Sequence, residues 1–199
     1  MKKIGLFGGS FNPVHKGHIN LALSIKETLG LDNVIFIPSG EAPHKSSSEY
    51  AKAADRLEMC RLAVSEYPFF EVSDFEIKRE GKSYSIYTVK HFKELYSDDK
   101  LYLMVGSDML MYFDKWFEYK EILKNVSLTA VSREGTDFEV LERTAEKLRE
   151  FGEIIVVNNR AFPVSSTILR KMIKNNEDIS CYLDEKVVKY IILKKLYLN

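Results

Sequence analysis

Short apolar strands alternate with helices along this chain, and that alternation limits its fold more than any other feature. Residues Lys3–Phe7 predict a strand that stops at a glycine pair, and residues Asn33–Ile37 predict a second strand. Between them, residues Gly17–Leu29 predict a helix that Gly30 closes. A strand, a helix and a second strand in this order form the building block of a parallel sheet. The first segment of the chain therefore predicts an α/β fold.

The alternation continues to the end of the chain. After a polar stretch at residues 39–50 that predicts a loop, the pattern favours further helices and strands. The predicted helices are Ala51–Glu66, Ser85–Leu95 and a charged one between Glu139 and Phe151, and the predicted strands are Phe69–Ile77, Leu101–Val105, Val126–Val131 and Ile154–Val157. Near the end, Val187, Val188, Ile191 and Ile192 are spaced as one buried helical face. We therefore predict a single domain over residues 1–199, a doubly wound parallel sheet with a helical C-terminal part from about residue 164.

The composition indicates a packed domain and excludes several other classes. Hydrophobic residues make up 45% of the 199 residues, which excludes a disordered, collagen-like or coiled-coil chain. The 29 basic and 29 acidic residues cancel, so the sequence predicts neither a nucleic-acid-coating nor a membrane-surface protein. The apolar run after Lys3 is shorter than the roughly 7–15 residues of a secretory segment, so we expect a cytoplasmic protein. Cys60 and Cys181 lie outside any CxxC pattern, so we expect two buried thiols.

The loop after the first strand, GGSFNPVHKGH from Gly8 to His18, lies where a parallel sheet binds its ligands, beyond the carboxyl ends of the strands. Gly8 and Gly9 let the backbone approach a ligand and expose amide groups that attract an anion. The loop matches neither the GxGxxG fingerprint nor the phosphate loop that ends in Gly-Lys-Ser/Thr. It therefore predicts an anion site of a different kind.

Two histidines open the helix that follows this loop. His15 and His18 are three residues apart and face the same way, and Gly17 between them adds no side chain. An imidazole with a pKa near 6.5 can give a phosphate oxygen a hydrogen bond or a full positive charge. Local capping or packing is an alternative for both residues. The zinc pattern of two histidines four apart with an intervening Glu is missing, so we predict no protein-bound metal site.

A second candidate segment, Val164–Arg170, follows Pro163. Ser165, Ser166 and Thr167 precede an apolar run, as at the start of a helix, and such a start binds phosphate with its amide groups. Arg170 lies one turn further on and can fold back onto the same anion. The alternative is an ordinary capped surface helix with a solvated arginine.

Together the two segments resemble the signature of the HxGH nucleotidyltransferases, here His15-Lys16-Gly17-His18 and Ser166-Thr167-x-x-Arg170. Within that superfamily the chain is most similar to the bacterial nicotinate-nucleotide adenylyltransferases. The resemblance extends over nearly the whole chain, through Pro43-His44-Lys45, Arg56, Met59, Ser83-Tyr84-Ser85, Gly106-Ser107-Asp108, Trp116, Arg133-x-Gly135, and the terminal Tyr190-Ile191 and Leu196-Tyr197. It implies a Rossmann-like fold and transfer of AMP from ATP to nicotinate mononucleotide, with release of pyrophosphate.

The resemblance also implies a set of roles. His15, His18, Lys45 and Arg170 are expected to be catalytic, the histidines at the α- and β-phosphates of ATP and the two cations at its triphosphate tail. Further ATP-binding residues are Gly8, Gly9, Ser10, Phe11, Gly106, Asp108, Arg133, Ser166 and Thr167. Residues expected to bind nicotinate mononucleotide are His44, Tyr84, Ser85 and Trp116.

Mg²⁺ is expected as the companion of ATP, held by substrate and water, and a homo-oligomer is an open possibility. Trp116 as a core residue and Asp108 as a helix cap are alternatives that remain open.

Four departures from the family pattern affect the acceptor side more than the chemistry. Asn12 stands where the family often has Asp, Ala42 replaces a first proline, Ser85 replaces Thr, and Tyr87 lies near a usual Asp. Three other functions are therefore weighed. They are an HxGH transferase with a nicotinamide mononucleotide or phosphopantetheine acceptor, a fragment of a class I aminoacyl-tRNA synthetase, and a non-catalytic nucleotide-binding module. The synthetase is disfavoured, since Arg170-Lys171-Met172-Ile173 lacks the expected Ser-Lys.

Overall fold

The computed structural model describes residues 1–40, 50–133, 138–159 and 162–198, without the side chains of Arg133 and Asn159. Its strands are β1 (Lys3–Gly9), β2 (Asn33–Pro38), β3 (Phe70–Val72), β4 (Lys100–Gly106), β5 (Ser127–Arg133) and β6 (Ile154–Asn159). Its helices are α1 (Lys16–Leu29), α2 (Ala53–Val64), α3 (Phe75–Lys78), α4 (Ser85–Leu95), α5 (Ser107–Leu110), α6 (Tyr119–Asn125), α7 (Phe138–Leu148), α8 (Ser166–Lys174) and α9 (Glu185–Lys194). Gly30 ends α1 in the left-handed region, with φ of 61°, as predicted.

The six strands form one sheet in the order β3-β2-β1-β4-β5-β6, and every pair of neighbours is parallel. From β1 the chain adds strands first on one side and then, starting with β4, on the other. A parallel sheet built in this way has a crevice at the carboxyl ends of its two central strands, where the connections diverge. The predicted α/β fold with a doubly wound, Rossmann-like sheet is confirmed.

Helices cover both faces of the sheet, so both faces are buried. Successive side chains of a strand point to opposite faces, so each strand contributes to both cores. In β2, Val34 and Phe36 join the core cluster that includes α1, α2, α8 and α9, whereas Ile35 and Ile37 join the cluster on the other face with α4, α6 and α7. Each fully buried large apolar side chain contributes about 1.5–3 kcal/mol to the hydrophobic driving force. The two clusters thus make the sheet a rigid support for the loops at its carboxyl edge.

The predicted strand Phe69–Ile77 was wrong in its second half. Pairing with β2 ends at Val72, and helix α3 begins at Phe75. The Ser73 hydroxyl accepts a hydrogen bond from the Phe75 amide at 3.2 Å, and this local bond favours a turn over a continued strand. The sequence resembled a strand here because the apolar Phe75 and Ile77 alternate with the polar Glu76.

Two burial predictions near the C-terminus also need correction. Val187 and Ile191 are buried as predicted and Val188 is half-buried, but Ile192, next to them on the edge of this face of α9, is 68% exposed. Cys60 is buried, whereas Cys181 is exposed in the turn between α8 and α9. Among the described residues, no helix is both long and apolar enough to span a membrane.

Candidate active site

The loop between β1 and α1 lies at the crevice and is itself largely buried. Phe11, Asn12, Val14 and His15 are each less than 9% exposed. Phe11 has a positive φ of 45°, and its ring lies so close to Gly9 that an added Cβ there would meet it at 3.0 Å. A side chain at position 9 would therefore require this aromatic ring to shift by a few tenths of an ångström. By contrast, no described atom lies within 4 Å of the place where a Cβ of Gly8 would be.

His15 and His18 pack directly against each other at the start of α1. Their ring centroids are 3.7 Å apart, and His18 Nδ1 accepts a hydrogen bond from the His15 amide at 3.1 Å. A Cβ at Gly17 would meet the His15 ring at 2.9 Å, so this glycine makes room for the imidazole itself. The structure therefore combines the predicted shared orientation with the local capping that was its alternative.

Burial changes the charge of this pair. Desolvation lowers the pKa of His15 to about 4, and it lowers the pKa of His18 well below its usual value, with the neighbouring His15 adding to the effect. Both imidazoles are therefore neutral at pH 7 in the unliganded protein, and their predicted contribution to a bound phosphate, a hydrogen bond or a full positive charge, stays a prediction. They can still donate N–H hydrogen bonds, and a bound phosphate would favour their protonation.

The neutral imidazoles make a prediction for stability against pH. Because the folded-state pKa of His15 lies below its unfolded value of 6.5, the unfolded chain binds the proton first as pH falls. The free energy of unfolding should therefore drop between pH 6.5 and about 4, by about 2 kcal/mol from His15 alone. Urea denaturation of the wild type and of a His15→Gln, His18→Gln variant measures this. Equal pH dependence of the two proteins would contradict the assignment.

The second predicted segment is brought directly onto this loop. Ser165 caps α8, its hydroxyl accepting a hydrogen bond from the Ile168 amide at 3.3 Å. The Ser166 hydroxyl donates to the Pro13 carbonyl at 2.9 Å, and Arg170 donates to the Asn12 carbonyl at 3.0 Å and to the Thr167 hydroxyl at 3.4 Å. Arg170 is thus held at the loop, and the alternative of a freely solvated arginine was wrong.

The next strand of the sheet contributes a further segment at the same edge. Gly106 ends β4 and acts as the cap of α5, with no described atom within 4 Å of its missing Cβ. Asp108 lies exposed in the first turn of α5, so the alternative in which Asp108 caps the helix was wrong. The expected role of both residues in binding ATP stays a prediction.

Three of the residues expected to bind nicotinate mononucleotide lie in two places, Tyr84 and Ser85 at the start of α4 and Trp116 in the segment after α5. Tyr84 caps α4 and Ser85 is its first residue, and both are half-buried. Trp116 is half-buried, with its ring 4.9 Å from the buried Phe113, so it lies partly in the core. The Tyr84 ring lies 5.0 Å from the ring of Phe117, which places the two segments side by side. His44, Lys45, Gly135 and the side chain of Arg133 lie outside the described residues, so their roles stay predictions.

Arg56 holds several loops of the site together through hydrogen bonds to their backbone, a role that the sequence did not reveal. Arg56 is 3% exposed, and its guanidinium donates to the carbonyls of Ser10 at 2.8 Å, Ser39 at 2.7 Å and Gly40 at 3.3 Å. Its Nε donates to the Ala51 carbonyl at 3.2 Å. It thereby ties together the loops that leave β1 and β2. The signal in the sequence was an arginine one helical turn before the buried Cys60, on an inward-facing stripe.

Glu76 is a second residue that sequence reasoning missed. It is buried, and its carboxylate accepts a hydrogen bond from the Thr88 hydroxyl at 2.6 Å. Burial raises the pKa of Glu76, and hydrogen bonds from Thr88 and Ser83 oppose that rise. Ser83 also accepts a hydrogen bond from the Gly40 amide at 3.0 Å. Glu76 thus connects the end of β2 to the start of α4.

Comparison with known proteins agrees with this arrangement. Residues 6–172 match the cytidylyltransferase-like family model. The chain is 38% identical over 188 residues to a probable nicotinate-nucleotide adenylyltransferase of Clostridium novyi, covering 94% of each chain. It is 37% identical over 196 residues to one from Caldicellulosiruptor saccharolyticus, covering 98% of each. The fold matches that of Plasmodium falciparum nicotinic acid mononucleotide adenylyltransferase complexed with NaAD, with a TM-score of 0.80 at 19% identity, over 99% of this chain and 98% of that one.

Proposed function

Because this chain belongs to the nicotinate-nucleotide adenylyltransferase family, we propose that it transfers AMP from ATP to nicotinate mononucleotide in NAD biosynthesis. The products are nicotinate adenine dinucleotide and pyrophosphate. The single observation in the molecule that carries this proposal is that α8 is hydrogen-bonded to the loop between β1 and α1, the loop that leads into His15 and His18. Arg170 and Ser166 hold the backbone of that loop at Asn12 and Pro13.

The reaction requires alignment more than proton transfer. A phosphate oxygen of nicotinate mononucleotide attacks the α-phosphorus of ATP, and the bond from that phosphorus to the oxygen shared with the β-phosphate breaks, so this oxygen leaves as part of pyrophosphate. The nucleophile is already an anion, so no general base is needed. The enzyme must instead hold two anions that repel each other and stabilise the charge that moves onto the departing oxygens.

The residues at the crevice provide hydrogen-bond donors for this task. We assign the imidazoles of His15 and His18 to the α- and β-phosphates, and the guanidinium of Arg170 to the triphosphate tail. The first turn of α8, at Ser166 and Thr167, adds amide dipoles that favour an anion. Because the imidazoles are neutral before ATP binds, the loop and the helix can pack against each other without repulsion from Arg170.

We propose that Mg²⁺ enters this site with ATP rather than on ligands of the protein. The described groups beside the loop are mainly N–H and hydroxyl donors, whereas Mg²⁺ prefers oxygen ligands. We therefore propose that phosphate and water oxygens hold the ion, which would neutralise triphosphate charge when bound. We also propose that the protein works in the cytoplasm. A homo-oligomeric state stays a prediction.

Comparison of acceptors tests the proposed substrate. Pyrophosphate release should be measured with ATP, Mg²⁺ and one of nicotinate mononucleotide, nicotinamide mononucleotide or phosphopantetheine. We expect rapid release with the nicotinate compound and at least about tenfold lower kcat/KM with the nicotinamide compound, because the site must discriminate a charged from a neutral group. A preference for another acceptor would contradict the assigned substrate. Tight ATP binding without turnover on any acceptor would instead support a non-catalytic module.

A further inference from the structure

The C-terminal tail reaches the loop that we assign to phosphate binding. Helix α9 ends at Lys194, and Lys195 and Tyr197 both have positive φ, of 51° and 65°. The Leu196 amide donates to the Ile191 carbonyl at 3.0 Å, which folds the tail back after the helix. Leu196 and Tyr197 then pack against the core cluster that contains Phe11 and Val14. The tail is therefore a fixed part of the fold at the site.

The Tyr197 hydroxyl donates a hydrogen bond of 2.8 Å to Oδ1 of Asn12. That oxygen also accepts the Ala51 amide at 3.0 Å, so one buried side-chain atom joins the tail, the loop and the chain that leads into α2. Burial raises the pKa of Tyr197, which keeps its hydroxyl protonated and able to donate. Asn12 is 2% exposed, so water has little access to replace a lost partner.

The backbone of Asn12 contacts a residue that we assign to ATP binding. Its backbone carbonyl accepts a hydrogen bond from Arg170 at 3.0 Å. A shift of the Asn12 side chain would therefore move the carbonyl that orients this guanidinium. We propose that Tyr197 is a positioning residue for adenylyl transfer, acting through Asn12 to hold the loop and Arg170 in line with ATP. This inference rests on the proposed function, because it assumes that Arg170 binds the triphosphate.

Tyr190 provides a matched control in the same C-terminal segment. Its hydroxyl donates to Oδ1 of Asp55 at 2.9 Å, which fastens α9 to α2 rather than to the loop. Tyr197→Phe and Tyr190→Phe each remove one hydroxyl and one hydrogen bond from a carbon frame that is otherwise retained. A purely structural role for Tyr197 predicts similar effects of the two variants. A positioning role predicts that only Tyr197→Phe changes the use of ATP.

The test compares kcat and KM for each substrate, together with the thermal midpoint. We expect Tyr197→Phe to lower kcat/KM for ATP about 5- to 10-fold, with the KM for nicotinate mononucleotide within about twofold. Tyr190→Phe should leave the kcat/KM for ATP and the KM for nicotinate mononucleotide within about twofold of the wild type. We expect similar thermal midpoints for the two variants. In an Asn12→Ala background, Tyr197→Phe should have almost no further effect on kcat/KM, because its contact atom is gone.

Two results would overturn the positioning role. One is a kcat/KM for ATP that is the same in the two tyrosine variants, and the other is an undiminished loss in the Asn12→Ala background. Calorimetric titration with ATP separates this inference from the proposed function. If the wild type transfers no AMP to nicotinate mononucleotide, the proposed function fails, but about 5- to 10-fold weaker ATP binding by Tyr197→Phe than by Tyr190→Phe still supports the positioning role. Equal ATP affinities would then reject it.

Discussion

Replacing His18 with alanine is expected to lower kcat by about 10²–10³-fold, the usual loss when a preorganised donor to a developing anion is removed. The structure places the His18 ring at the start of α1, against His15 and 5.0 Å from the ring of Phe11. Its position is thus fixed before ATP binds. Steady-state pyrophosphate release at saturating substrates measures the loss.

The same substitution should have a small effect on stability. His18 Nδ1 accepts the His15 amide, so alanine removes a helix cap that is worth about 1 kcal/mol. We expect the thermal midpoint to fall by only a few degrees. His91→Ala is the control, because His91 lies on α4 and not in the loop between β1 and α1. Its imidazole also packs on another ring, that of Phe75, with centroids 3.9 Å apart. Near-normal turnover of His18→Ala would remove this residue from the mechanism.

Arg56→Met is expected to have the largest effect on stability. The substitution keeps an apolar stem but removes the guanidinium that donates to the carbonyls of Ser10, Ser39 and Ala51 in a partly buried region. Each unsatisfied buried group costs about 1–3 kcal/mol, so we expect a total loss of about 3–5 kcal/mol in the free energy of unfolding. Urea denaturation of the variant measures that loss.

Arg61→Met on the same helix controls for the loss of an arginine. Arg61 is half-exposed and forms two long ion pairs with described residues, with Glu58 at 3.7 Å and Asp74 at 4.0 Å. Such surface pairs contribute about 0–1 kcal/mol, so this variant should unfold almost like the wild type. Equal losses in the two variants would show that Arg56 does not hold the loops together.

Much of the fold follows from local pattern. The apolar run in Asn33–Ile37 and the glycine that ends α1 depend on neighbouring residues only, and the structure confirms both. The strand Phe69–Ile77 failed because a single side-chain hydrogen bond at Ser73 outweighed the apolar alternation. Ile192 failed since its burial depends on how α9 docks, which no short window of sequence reports.

The site was predictable where one motif carries its own chemistry. The histidine pair and the start of α8 each indicated phosphate, and the structure joins them through Arg170 and Asn12. Arg56, Glu76 and Tyr197 could not be given a function in this way, because each has hydrogen-bond partners in other elements of the fold. Tyr197 meets Asn12 only after the sheet, α8 and α9 have assembled. The neutral state of the histidines likewise depends on burial and not on residue type.

The measurement that tests the central claim most directly follows the fate of the α-phosphate. The protein is incubated with Mg²⁺, nicotinate mononucleotide and ATP that carries a heavy oxygen isotope in the non-bridging positions of its α-phosphate, and the products are separated and identified by mass spectrometry. The account predicts that the label enters nicotinate adenine dinucleotide, with one pyrophosphate released for each dinucleotide formed. Label that stays in ATP, or that appears only in free AMP, would contradict adenylyl transfer to this acceptor.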